Sequence, residues 1–113
     1  MTSIYKITGE LTKTDWRGTT LDRFECLLIS DVKECFSKDI DSIQEACKVI
    51  LRDCDIDFDK IYTNIYDAIC MYSMFTSKSE PKVIFDENLK AKESIVTDCR
   101  FKVTISKDSE RDI

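Results

Sequence analysis

From Ile4 to Leu11 the chain alternates, with Tyr5, Ile7 and Leu11 on one side and Lys6, Thr8 and Glu10 on the other. A period of two is that of a strand with one face buried. Asp15-Trp16-Arg17-Gly18 follows as a turn signal, closed by one of only two glycines in the sequence. Leu21 to Ile29 fits two templates. Phe24, Cys26 and Leu28 alternate as in a strand, whereas Leu21, Phe24 and Leu28 share one helix face. The turn just before them favours a hairpin.

In the middle the period changes. Ile40, Ile43, Cys47, Ile50 and Cys54 recur at three- and four-residue steps, which predicts a helix. Asp39 is its expected N-cap, and Ser42-x-x-Glu45 reads as a capping box. A second helix is expected from near Asp57 to about Phe75, with Phe58, Ile61, Ile65, Ile69 and Tyr72 as its apolar face and Asp59, Thr63 and Asp67 opposite. From Ala68 to Phe75 it is apolar nearly all round, as in a helix central to a core or covered by a partner. Ser77 to Pro81 ends it. Lys82 to Phe85 reads as a short strand, Asp86 to Asn88 as a turn or loop. Cys99, Phe101, Val103 and Ile105 alternate with polar residues and give the clearest strand of all.

Strands, then helices, then strands imply an α+β fold, a small antiparallel sheet from an N-terminal hairpin and C-terminal strands packed on two or three central helices. At 113 residues the chain is expected to be one domain, 1–113, with its last residues (about 107–113) unstructured. No apolar run is long enough for a membrane span, and no secretory pattern opens the sequence, so a cytoplasmic location is expected. Six cysteines lack a C-x-x-C spacing and there is no histidine, so reduced, mostly buried thiols are expected rather than a zinc site or a disulfide scaffold.

The net charge of -5 is local. Residues 31–67 hold ten acids and five bases, while the segments on either side balance. Such a field repels nucleic acid and attracts basic protein surfaces, or else serves as a solvated acidic face. The absence of histidine removes the Ser-His and Cys-His nucleophile pairs, and no glycine-rich phosphate loop is present. No enzymatic activity, metal or cofactor is expected.

The most unusual stretch is Asp53-Cys54-Asp55-Ile56-Asp57-Phe58-Asp59, four carboxylates with no cation among them. As a calcium loop it fails. Counting from Asp53, Phe58 stands where glycine must turn and Asn64 where a glutamate must clamp. Helix capping accounts for Asp55 or Asp57, and the helix dipole for Asp59. Asp53, placed in the last turn of the preceding helix, is the least explained. Tyr62 and Tyr66 lie one turn apart on the side leading to Asp59. They either extend the run into an acidic, aromatic binding surface or pack against the neighbouring helix. Trp16 is a further candidate anchor, unless it folds back on its sheet.

A small, acidic, histidine-free α+β protein with clustered carboxylates and tyrosines resembles the immunity proteins of bacterial toxin systems. Those of contact-dependent growth inhibition are closest in character, and colicin and other bacteriocin immunity proteins share it. The resemblance is one of size, charge and layout over the whole chain, without a motif. It implies a cytoplasmic inhibitor that covers the active site of a basic toxin nuclease, with Asp53, Asp55, Asp57, Asp59, Tyr62, Tyr66 and Trp16 as candidate contacts from the residue pattern. Two other readings compete. One is a phage-encoded anti-defence inhibitor that mimics nucleic acid, which needs the aspartate run extended. The other is a structural subunit that dimerises through Met71, Met74 and Phe75.

Overall fold

The alternating segments at the two ends of the chain meet in one antiparallel sheet. The structure is a computed structural model that describes residues 2–31, 40–75 and 81–111. It contains β1 (Thr2–Asp15), β2 (Gly18–Asp31), α1 (Ile40–Ile50), α2 (Phe58–Phe75), β3 (Lys82–Asn88) and β4 (Asp98–Arg111). Strand order is β2-β1-β4-β3, so the first and last strands of the chain form the central pair and β2 and β3 are the edges. Every pairing is antiparallel. This is the α+β arrangement expected, with two helices.

The core lies between one face of the sheet and the helices. Tyr5, Ile7 and Leu11 of β1 share that face with Leu28 of β2 and with Cys99, Phe101, Val103 and Ile105 of β4. Ile43 and Cys47 of α1, Leu51, and Ile65, Ile69 and Tyr72 of α2 close over them. Tyr5 meets Tyr72 edge-on at 5.9 Å, and Phe85 lies against Phe101 at 5.8 Å. Cys47, Cys54 and Cys99 are buried and Cys26 and Cys70 half-buried, none of the five in a disulfide, while Cys35 lies outside the described residues. Burial pushes the Cys47 thiol up to about 12.

Gly9 has a packing reason to be glycine. It stands opposite Phe24, whose ring lies where a side chain at position 9 would go. The aromatic ring thus covers the bare backbone of the neighbouring strand, a pairing that strengthens a strand weakened by glycine.

Four details differ from the sequence reading. First, α1 stops at Ile50, so Cys54 and Asp53 lie beyond it. Second, Ser42 is the third residue of α1 and cannot cap it; the expected cap, Asp39, lies outside the described residues, as does most of the predicted break at 77–81. Third, Asp86 to Asn88 continue β3 instead of turning, because they pair with Arg100 to Lys102. Fourth, β4 runs through Arg111, opposite Thr2, into the tail that sequence alone leaves unstructured.

The uncovered face carries ion pairs. Lys6 bridges Glu25 at 2.8 Å, and Arg100 Nε donates to Asp86 at 2.6 Å across β4 and β3. The Arg100 guanidinium holds the Asp86 carboxyl below the usual carboxylate range, and Lys6 does the same for Glu25. A carboxylate lowered in the folded state contributes stability above its unfolded pKa of about 3.9 for Asp, lost as pH falls through the folded value. Melting temperature should therefore drop on acidification below that range. Asp86→Asn should lower it near neutral pH and converge with the wild type in acid. Thermal melts across pH check this.

Candidate functional site

The first half of the aspartate run is neither a helix end nor a loop in open water; its second half opens α2. After Ile50 the chain turns, with Leu51 N–H donating to Cys47 O and Cys54 N–H to Leu51 O. It then lies beside the β3–β4 connection. Asp55 N–H donates to Lys90 O at 2.7 Å, Lys92 N–H donates to Asp53 O at 2.9 Å, and Cys54 bridges Ala91 in antiparallel sense. Cys54 is therefore buried between the run and the sheet, its sulfur 3.7 Å from Cys99 Sγ. Burial, with the Cys99 thiol beside it, pushes the Cys54 thiol up to about 12. Alternating apolar and acidic residues serve this placement, with Cys54 and Ile56 turned inward and the carboxylates outward.

Each carboxylate has a local explanation. Asp53 pairs with Lys13 of β1 at 3.6 Å and with Arg52 at 3.9 Å. Asp55 pairs with Lys90 at 3.8 Å. Asp57 caps α2, its Oδ1 accepting from Lys60 N–H at 3.4 Å while Ile61 N–H donates to its carbonyl. Asp59 stands in the first turn of α2, where the helix dipole favours a negative charge. All four remain exposed. Asp53, which sequence explains least, thus has two cations. Lys13 was the missed residue, and its signal was present: it continues the inward positions Tyr5, Ile7 and Leu11 as a lone cation on a core-facing register.

Behind the run lies a hollow of about 290 Å³ whose rim carries Lys48, Arg52 and Lys92 over Leu51, Ile56 and Phe58. The surface here is mixed in sign, not uniformly acidic.

The hairpin tip belongs to the same end of the molecule. Thr97 N–H donates to Thr14 O at 2.8 Å, tying the β3–β4 connection to β1, and Lys13 ties β1 to Asp53. Asp15 pairs with Gly18, whose φ of 131° suits only glycine, and Arg17 and Trp16 form the loop between them. Asp15 holds the loop twice, accepting from Arg17 N–H at 2.8 Å and from its guanidinium at 2.9 Å. Trp16 is 80% exposed. It does not fold back on the sheet; the Arg17 guanidinium lies 5.7 Å from its ring centroid.

The tyrosines are placed differently. Tyr62 is half-buried and stacked on Phe58, centroids 5.8 Å apart and planes within 9°. Burial raises its hydroxyl pKa, with smaller contributions from Cys47 and Asp41 of α1 and from Tyr66. That is the packing arrangement, with the ring between the helices. Tyr66 is half-buried as well. The structure therefore ties Asp53 to β1 through Lys13, on the strand whose end carries the Trp16 turn, and sets Tyr62 mainly into the helix interface. Among the described residues no group of three histidine, cysteine, aspartate or glutamate side chains is placed to hold a metal. No helix among them is long and apolar enough to cross a membrane. No protein-family model matches the chain, and neither a curated protein nor a solved structure is significantly similar to it.

Proposed function

We propose that this chain is a binding protein of the immunity type, which neutralises a basic toxin nuclease by docking the sheet end that carries Trp16 and the Asp53–Asp59 run. One observation supports this above the rest. A tryptophan that is 80% exposed stands on a hairpin tip braced by Asp15 and Arg17. An indole held in water forgoes a burial gain that an interface recovers, and tryptophan leads the residues that dominate binding energy. Bracing lowers the ordering cost on association.

The exposed carboxylates Asp53, Asp55, Asp57 and Asp59 then steer a basic partner and fix its register. Their cations modify how they do so. Lys13, Arg52 and Lys90 already sit within 4 Å of Asp53 or Asp55. A partner's lysines and arginines must match a pattern of both signs, which favours specificity over a general affinity for bases. Tyr62 and Tyr66 contribute mainly through the helix pair behind the run.

The nucleic-acid mimic gains something from the non-helical course of Asp53 to Asp57, but a strip of phosphates carries no built-in cations. The dimeric subunit has Met71 exposed on α2 in its favour; the side chains of Met74 and Phe75 lie outside the described residues.

The test is inhibition. Added in equal amount to the nuclease domain encoded beside its own gene, the protein should abolish cleavage, with an association rate that falls steeply as salt is raised. Undiminished cleavage at molar excess would sink this reading.

A further inference from the structure

We infer that two copies of this protein associate through β2, edge to edge and antiparallel, about a two-fold axis at Phe24, to make one continuous sheet. β2 is an edge strand of 14 residues. The orientation of its backbone follows from the ladder. Thr14 turns its carbonyl toward β4, where Thr97 N–H donates to it. Its neighbours Lys13 and Asp15 therefore face β2, opposite Thr20 and Gly18. The β1–β2 register runs without a shift from there to Tyr5 opposite Leu28. Leu21, Arg23, Glu25 and Leu27 consequently present their N–H and C=O groups to the edge, which is open among the described residues, a row that pairs readily with another strand.

The side chains of those same four residues choose the partner. They stand on the uncovered face of the sheet, Leu21 and Leu27 at 58% and 57% exposed. With the axis at Phe24, Arg23 of each copy lies opposite Glu25 of the other, and Leu21 of each opposite Leu27. Four favourable cross-strand pairs arise from one strand meeting itself, the self-complementarity that an isologous interface requires. The neighbouring registers are penalised. Moving the axis one residue to either side sets Arg23 against Arg23 or Glu25 against Glu25, and like charges directly opposite repel. Within the monomer Arg23 is held only loosely, 3.9 Å from Glu10 and 3.7 Å from Glu25, and is free to turn to the second copy.

The covered face fits the same axis. Beside β2 runs an open groove of about 420 Å³ between the strand and α1, lined by Phe24, Ala46, Val49 and Ile50 with Arg52 and Asp53 at its rim. The two Phe24 backbones meet on the axis while each ring stays over Gly9 of its own β1, which leaves the two grooves side by side across the joint sheet. This surface runs along β2 and reaches Asp53 at the groove rim, but it is argued from the strand's own side chains and uses no contact of Trp16, so dimerisation does not depend on the immunity reading.

Sedimentation of the purified chain across the micromolar range tests it. The wild type should run as a dimer at the upper end. Arg23→Glu turns two attractive pairs repulsive and should weaken the dimer about tenfold or more, and adding Glu25→Arg should restore it. Leu27→Lys, at an exposed side chain, should also dissociate it without disturbing the fold, and far-ultraviolet circular dichroism verifies that each variant is folded. A wild type that stays monomeric throughout overturns the proposal. So does a dimer that resists Arg23→Glu and Leu27→Lys but dissolves with Met71→Glu, which would assign the contact to α2.

Discussion

Gly9→Val is expected to destabilise the fold by about 2–3 kcal/mol, the upper range for forcing extra atoms into a packed site. A side chain at position 9 points into the Phe24 ring. It cannot swing aside, because a β-branched residue in a central strand has little rotamer freedom. Either the ring leaves its place over β1 or the ladder between β1 and β2 opens. Phe24 is half-buried, at the floor of the groove beside α1, so its displacement also exposes Ala46 and Ile50. The cause is isolated by a second change. Phe24→Ala in the Gly9→Val background should recover part of the loss, and the two substitutions should couple by about 1–2 kcal/mol. Urea unfolding of the four proteins, at a concentration where each is monomeric, gives that coupling. Simple additivity would mean that the ring does not occupy the space above Gly9.

Phe101→Ala should cost about 3–5 kcal/mol, the range for removing a buried aromatic ring. Among the described residues Phe101 is the largest side chain with no exposed surface. It sits on the central strand pair opposite Leu11, with Phe85 of β3 against its ring. Since domains of this size are stable by only about 5–15 kcal/mol, the variant is expected near the threshold of unfolding. The urea midpoint should fall sharply with an unchanged slope, and Phe101→Leu should fall by much less. Its neighbours Arg100 and Lys102 face away from the helices, and Lys102→Ala should shift the midpoint little.

The elements legible in the sequence are those whose alternation records a covered face. Tyr5, Ile7 and Leu11, and Cys99 to Ile105, mark the stretches of β1 and β4 that lie beneath the helices. Beyond them both strands continue with polar residues on both faces. Thr12 and Thr14 pair with Arg100 and Asp98 through their backbones, and no hydrophobic period reports it. The end of α1 misled for a related reason. Cys54 falls on the helical repeat after Ile50, but its burial comes from the bridge to Ala91, a contact across 37 positions of sequence that periodicity cannot record. Asp86 was read as a turn residue by type, although its partner Arg100 lies on another strand.

The candidate site was half legible. Composition exposed the aspartate run, and the turn signal located Trp16. Their meeting at one end of the sheet depends on Lys13 reaching Asp53 and on Thr97 binding Thr14, both long-range. The sequence overstated the acidity of the run, because Lys13 and Lys90 arrive from segments far away along the chain. Spacing alone also left the tyrosines between anchoring a partner and packing on the neighbouring helix; Tyr62 stacks on Phe58 and turns toward α1.

On the proposed reading, Trp16 anchors a partner without supporting the fold. Binding of the neighbouring nuclease domain to wild type and Trp16→Ala, measured by titration calorimetry beside thermal melts, addresses it directly. The substitution should weaken affinity about thirtyfold or more, the scale of an interface hot spot, and leave the melting temperature unchanged. Equal affinity for the two proteins, with equal melting temperatures, would contradict the placement of the binding surface at the hairpin tip.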